Sequence, residues 1–217
     1  MSQDTSDLRS LRREYEVGDL NRDDLHADPV QQFARWFEQA LAQYADEATA
    51  MTLATADAEG MPSARIVLLK HYDSKGFTWF TDYRSEKGEQ LMINPQAELL
   101  FYWPALSRQV RVRGQVQKLP AAEGRAYFSQ RPAGSRLSAA VSCQSHPVAS
   151  RQVLEAAIEA LRQQHPEGDV ACPETWGGYL LKPQRFEFWQ GRPSRLHDRF
   201  SYQLQDDGGW AIERLQP

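Results

Sequence analysis

The sequence predicts an α+β protein that is mainly β with flanking helices, built on an antiparallel barrel or sandwich. Three observations carry that expectation. Between residues 49 and 119 the chain runs through "TAMTLATA", "SARIVLLKHY", "FTWFTD", "AELLFYWP" and "RQVRVRGQVQKL", segments rich in β-branched and aromatic residues, with "DAEG" and "DSKG" as turn-forming links. Strand character returns at the end in "WGGYLLKP", "RFEFWQ", "FSYQLQ" and "WAIERLQ", with "DDGG" as a hairpin turn. A chain of 217 residues, 41% of them hydrophobic, can bury one sizeable core, and no repeat, low-complexity tract or linker marks a second domain.

Residues 1–27 are polar, with only Leu8, Leu11, Tyr15, Val17, Leu20 and Leu25 to anchor them, and read as an arm in front of a single domain spanning 28–217. Asp28 caps a helix with Pro29 at its first position, and Val30, Phe33, Phe37, Leu41 and Tyr44 recur as one buried stripe, so the helix is expected to end near Glu47. Short helices are expected at "SEKGEQLMI", "AAEGRAYFSQ" and "SRLSAAVS", and a longer amphipathic one at "SRQVLEAAIEALRQQ" through Val153, Leu154, Ala157, Ile158 and Leu161. The strands "AELLFYWP" and "RFEFW" carry more large rings than one small barrel needs inside, which points to a second copy of the chain.

Composition narrows the function. A formal net charge of -4 argues against a protein that coats nucleic acid or an anionic membrane, yet leaves room for a local basic pocket. The start has no apolar stretch of the signal-peptide kind, no run approaches the ~20 apolar residues of a membrane span, and Cys143 and Cys172 are the only cysteines. A reduced, cytoplasmic protein is the expectation. Neither zinc-type Cys/His spacing nor a Walker or GxGxxG loop occurs, so no metal is expected.

Within this frame the cations stand out. In "RIVLLK", Arg65 and Lys70 have odd spacing and fall on opposite faces of a regular strand unless a bulge intervenes, so they could serve two different anions or simply meet solvent. Gln109, Arg111 and Arg113 share one strand face, read as solvated unless Gln109 proves buried. Tyr127 and Arg131 are four apart on a helix that Pro132 helps end, with Ser135 in the following turn. A phenol, a guanidinium and a hydroxyl that converge suit a phosphate. "SCQSHP" lacks a nucleophile elbow around Ser145, so Cys143, Gln144, Ser145 and His146 read as polar loop contacts. In "FEFWQGRPSRLHDRF", Trp189 ends a strand, and Arg195, His197 and Arg199 share one face if "RLHDRF" is extended; that much positive charge on one side calls for an anion.

Taken together, "LRREY", "RIVLLKHYD", "EQLMINPQ", "RQVRVRG", "YFSQRP", "QS", "WGGY", "EFWQGRPSRLHDRF" and the terminal "W.I.RL.P" resemble the pyridoxine (pyridoxamine) 5'-phosphate oxidases over nearly the whole chain. The resemblance implies a split β-barrel of the FMN-binding type, a homodimer with FMN across the subunit interface, and no nucleic-acid or membrane partner. It assigns FMN contacts to Arg65, Val67, Leu68, Phe80, Thr81, Lys87, Gln109, Gln144, Ser145, Trp189 and Arg199. Lys70, Tyr127, Arg131 and Ser135 match positions that hold the substrate phosphate, Arg195 and His197 lie beside the substrate ring as the catalytic pair, and Arg12, Arg13, Glu14 and Tyr15 match an arm that can close over the site. The implied reaction oxidises pyridoxine or pyridoxamine 5'-phosphate to pyridoxal 5'-phosphate by hydride transfer from C4' to flavin N5, with dioxygen as acceptor and hydrogen peroxide released. Its rivals are another flavin or deazaflavin reductase on the same barrel and a non-catalytic flavin or pyridoxal-phosphate binder. One departure stands against the pattern. Where the family commonly has Ser-Arg-Lys, this chain has Ser85-Glu86-Lys87, so either Glu86 turns outward or a neighbour such as Arg84 substitutes.

Overall fold

The computed structural model describes residues 14–15 and 18–217. Asp28 accepts the Val30 amide at 2.8 Å and Pro29 fills the first position of α1, Pro29–Tyr44. Its buried face holds Val30, Phe33 and Phe37, as the periodicity required, and also Trp36 and Ala40; Tyr44 is partly buried against the core, and Leu41 is instead 40% exposed. The helix stops short of Glu47 because Ala45 takes a positive φ of 50° and the chain tightens into a 3-10 turn at Ala45–Thr49.

Six strands follow: β1 Ala50–Ala56, β2 Pro62–Leu68, β3 His71–Asp73, β4 Gly76–Asp82, β5 Gln96–Trp103 and β6 Arg108–Lys118, with helix α2, Glu86–Ile93, between β4 and β5. The segment expected as one strand, "SARIVLLKHY", is two, because it leaves the ladder at Leu69 and Lys70, whose amides bond Thr49 and Thr78 instead. Helices α3 Ala121–Gln130, α4 Ala133–Val141 and α5 Arg151–Gln164 come next, then β7 Trp176–Gln190, β8 Asp198–Leu204 and β9 Trp210–Leu215.

All pairings are antiparallel, in the order β2-β1-β5-β6-β7-β4-β3, with β8 and β9 added beside β7. The two terminal segments expected as separate strands are one, β7. Its first half pairs with β4, its second half with β8, and most of its length, from Tyr179 to Gln190, with β6. Pro183 lies where the register against β6 shifts, between Arg113 and Gly114, and a Cβ on Gly114 would stand 1.9 Å from the Lys182 carbonyl, so only glycine fits this irregularity. The sheet curls until β2 approaches β4 without a ladder between them, which leaves the barrel split along that seam.

Phe33 of α1 plugs the interior, its ring 4.9 to 5.3 Å from those of Phe37, Tyr72, Phe77 and Phe101. Phe101, Trp103, Phe186 and Phe188 are all buried, so the surplus of rings expected to reach a second copy is consumed inside; of these strands' rings only Tyr102 is exposed. The segment before α1 is more than an arm. Leu20 and Leu25 belong to the core, and the Tyr202 hydroxyl donates to the His26 carbonyl at 2.8 Å. No helix among the described residues is long and apolar enough to cross a membrane.

Candidate functional site

A cavity of about 730 Å³ opens along the split between β2 and β4 and is closed on the far side by α3 and α4. From β2 come Arg65, Val67 and Leu68; from β4, Phe80 and Thr81; from α2, Glu86 and Lys87; from the helical side, Tyr127, Arg131, Ser135, Gln144 and Ser145; and Lys70 joins from the bend after β2. Arg65 and Lys70 therefore face one cleft, contrary to the opposite-face expectation, because β2 ends before Lys70 and the strand geometry no longer applies.

One end of the cavity is a buried ammonium in a polar cage. Lys87 donates to Gln144 Oε1 at 2.9 Å, Ser85 Oγ at 3.1 Å and Thr81 Oγ1 at 3.3 Å, and Thr81 also donates to Gln144 at 2.8 Å. Burial, with Arg65 nearby, lowers the Lys87 pKa to about 8. Arg65 is fixed beside it by bonds from Nη1 to Thr55 and to the Leu53 and Ser63 carbonyls.

The other end is an aromatic stack carrying a cation. The Phe80 ring lies 4.0 Å from Tyr127 and 5.7 Å from Trp176, and the Arg131 guanidinium sits 4.6 Å over Trp176. Gly178 makes the stack possible, since a Cβ there would stand 2.8 Å from the Phe80 ring. Arg131 Nη1 is buried with no hydrogen-bond partner, and burial lowers the guanidinium's pKa. A buried donor without a partner is costly, and this nitrogen is available to an acceptor from outside the chain. Ser135 stands in the first turn of α4, where the sequence reading had a turn, because Pro132 starts that helix at once.

Ser145 holds a positive φ of 71° at the cavity's edge. Cys143 and His146 beside it do approach each other, Sγ to Nδ1 at 3.3 Å, but both are exposed and neither lines the cavity.

Gln109, Trp189, Arg195, His197 and Arg199 do not line this cavity. Gln109, Trp189 and Arg199 form a row across β6, β7 and β8 at matched register positions. His197 packs on Trp189 with centroids 4.6 Å apart, and Tyr15 stands edge-on to both. The expectation that Arg195, His197 and Arg199 share an extended face fails: β8 begins only at Asp198, and Ser194 and Arg195 both take positive φ, 53° and 62°. Their charges are also handled separately. Arg192 meets Asp198 at 3.4 Å, Arg199 meets Glu187 at 2.8 Å, and Arg195 is exposed with no ion pair among the described residues. Arg111 and Arg113, read as a solvated pair, are bound to Glu98, and Arg111 also reaches the buried Glu187. The sequence reading missed Glu187 and Glu98; their alternation opposite the arginines of β6 was the available signal. Of the proposed arm residues, Glu14 and Tyr15 are described, whereas Arg12 and Arg13 lie outside the described residues. No cluster of metal-ligating side chains occurs among the described residues.

The pyridoxamine 5'-phosphate oxidase family profile matches residues 37–165, and the pyridoxine 5'-phosphate oxidase C-terminal dimerisation region matches residues 176–217. The chain is 54% identical over 210 residues to a pyridoxine/pyridoxamine 5'-phosphate oxidase of Bordetella pertussis, covering 97% of this chain and 99% of the relative. It is 50% identical over 211 residues to one of Rippkaea orientalis, covering 97% and 100%. Among solved structures, PhzG from Burkholderia lata in complex with tetrahydrophenazine-1-carboxylic acid superposes with a TM-score of 0.86 at 29% identity, covering 93% of this chain and 99% of that one. A pyridoxamine 5'-phosphate oxidase-related, FMN-binding protein from Nostoc punctiforme, 20% identical with a TM-score of 0.72 and coverage of 89% and 100%, shares the split-barrel fold. Two matching family regions and relatives of half-identical sequence agree: the chain belongs to the pyridoxine/pyridoxamine 5'-phosphate oxidase family.

Proposed function

We propose that the protein oxidises pyridoxine 5'-phosphate and pyridoxamine 5'-phosphate to pyridoxal 5'-phosphate, using FMN and dioxygen and releasing hydrogen peroxide. The observation that carries this reading is the partnerless, buried Arg131 Nη1 in the same cavity as the caged Lys87. Two such cations at two ends of one cleft suit two phosphorylated molecules, because each dianion needs its own charge-assisted donors. The residues fit the flavin: Arg65, Lys87, Gln144 and Ser145 would hold it, with the polar cage of Thr81 and Ser85 keeping the ammonium in place. Lys70, Tyr127, Arg131 and Ser135 would hold the vitamer phosphate, and the Phe80–Tyr127–Trp176 stack supports the Arg131 plane. When bound, the flavin supplies the hydride acceptor and the reaction with dioxygen.

The protein's task is then orientation. Gln109, Trp189, Arg195, His197 and Arg199 are separate from the cavity, and we assign them to the cavity of a second copy in a homodimer. The match of residues 176–217 to a dimerisation region and the exposed Ile66 and Leu68 on edge strand β2 support this pairing. In that arrangement the unpaired Arg195 covers the substrate ring, and Arg199, fixed by Glu187, faces the flavin. His197 accepts from the Arg192 amide at Nδ1, so a neutral ring carries its proton on Nε2 and offers a donor to the substrate.

The test is spectral and kinetic. The purified protein should be yellow, with a flavin absorbance spectrum, and should consume oxygen only when given a phosphorylated vitamer. A colourless protein that takes up no flavin, or oxygen uptake indifferent to the vitamer, would sink the assignment. A yellow protein without turnover would favour the non-catalytic binder.

A further inference from the structure

Glu86 is the sole carboxylate lining the cavity among the described residues, in the company of Arg65, Lys70, Lys87 and Arg131. It does not turn away from them. Its Oε1 accepts from Ser63 Oγ at 3.0 Å and Gln90 Nε2 at 3.4 Å, and its Oε2 accepts from Arg65 Nη2 at 3.3 Å. It also sits in the first turn of α2, where the helix dipole favours negative charge.

The arrangement on the arginine is unequal. Arg65 Nη1 is engaged by Thr55 and two carbonyls, and Nη2 by Glu86 Oε2 at 3.3 Å and Gln90 Oε1 at 3.5 Å, so an anion approaching Nη2 meets Glu86 as the charged partner already there. Arg84 offers no replacement, being bound twice to Asp82 and once to the Ser142 carbonyl. Exposure differs as well, 58% for the Glu86 side chain against 19% for Arg65, so the acid can swing into water while the arginine cannot follow it.

We propose that Glu86 is a tethered counter-ion that competes with the cofactor phosphate for Arg65, and thereby sets how tightly that phosphate is held. The proposal rests on the reading of this cavity as the flavin site. A phosphate arriving at Arg65 must either displace the carboxylate or sit beside its like charge, and both weaken binding relative to a neutral side chain. A flavin without phosphate does not meet this competition.

The experiment measures dissociation constants of FMN and of riboflavin, by quenching of flavin fluorescence, on the full chain stripped of flavin. Wild type, Glu86→Gln and Glu86→Ala are compared at low and high salt. Both variants should bind FMN about 5- to 50-fold more tightly at low salt, with the gap narrowing at high salt and riboflavin affinity unchanged. Equal or weaker FMN binding in both variants would overturn the proposal and make Glu86 an orienting partner of Arg65. An equal gain for riboflavin would overturn it too, since the phosphate would then play no part. Wild type that binds neither flavin removes the proposed function and this inference together, whereas normal wild-type binding with unresponsive variants removes this inference alone.

Discussion

His197 Nδ1 accepts the backbone N–H of Arg192 at 3.1 Å, inside a loop where Ser194 and Arg195 both hold left-handed conformations. The ring's pKa is lowered by burial and by the charges of Arg195 and Arg199, so the neutral ring dominates at neutral pH. With Nδ1 engaged and the proton on Nε2, the imidazole can donate to a substrate but has no free lone pair to take a proton. His197→Asn should therefore reduce kcat/KM by less than about 10²-fold and leave in place the acid side of the pH profile, where a histidine base would titrate. A larger loss, together with a titration that disappears, would restore the base role.

Arg131 should govern the vitamer and not the flavin. Its guanidinium has a free, buried nitrogen and a stacking platform on Trp176. Arg131→Leu should weaken binding of the phosphorylated substrate by about 2 to 5 kcal/mol with flavin content unchanged. Steady-state kinetics and the absorbance ratio of flavin to protein read the two separately; flavin loss with intact substrate affinity would show that the two phosphate ends are exchanged.

Under the proposed assignment, Lys87 should make FMN retention depend on pH. Its pKa of about 8 lies below the ordinary lysine value, so the free protein carries the full charge only below that pH and loses it as pH rises through about 8. FMN affinity should be flat on the acid side of this value and fall on the alkaline side. Lys87→Met should bind FMN weakly and lose this pH dependence, which fluorescence titration across pH 6.5 to 9.5 would check.

Glu187 is 4% exposed and bridges Arg111 and Arg199. Its removal leaves two guanidinium groups without their shared counter-ion. Glu187→Ala should cost about 3 to 5 kcal/mol in urea unfolding, and flavin retention should drop with it as Arg199 loses its fixed position. Unchanged stability would mean that Glu98 and solvent suffice.

Subunit mixing tests the assembly directly. If each cavity is completed by the partner's loop, Arg131→Leu and Arg195→Leu chains, each of low activity, should regain activity when refolded together, since half the sites of a hybrid dimer then carry neither substitution. No recovery in demonstrated hybrids would place both residues at one copy's site.

Much of the fold was legible because local chemistry and tertiary structure agree. Asp28 and Pro29 start α1 as written, and the Gly208 turn closes β8 onto β9. The failures have common physical causes. Lys70 escapes strand periodicity because β2 ends at Leu68, and the chain entering "RLHDRF" is bent by Ser194 and Arg195, two left-handed residues that are not glycine, a conformation that no propensity foretells. Trp36 was missed because a helix face depends on what it packs against, here Phe188 and Arg108. The carboxylates that manage the arginines, Glu98, Glu187 and Asp198, alternate along their strands in the sequence, but which arginine each one meets is set by the strand register.

Strand β7 carries Trp176 at one end and Trp189 at the other. At a rise of about 3.3 Å per residue, the contour between them is about 40 Å. In the proposed dimer the strand then acts as a spacer, with the cavity at its Trp176 end and the Trp189 row at the other. If the two ends serve different sites of the proposed dimer, dilution below the dimer dissociation constant should switch the protein off without unfolding it.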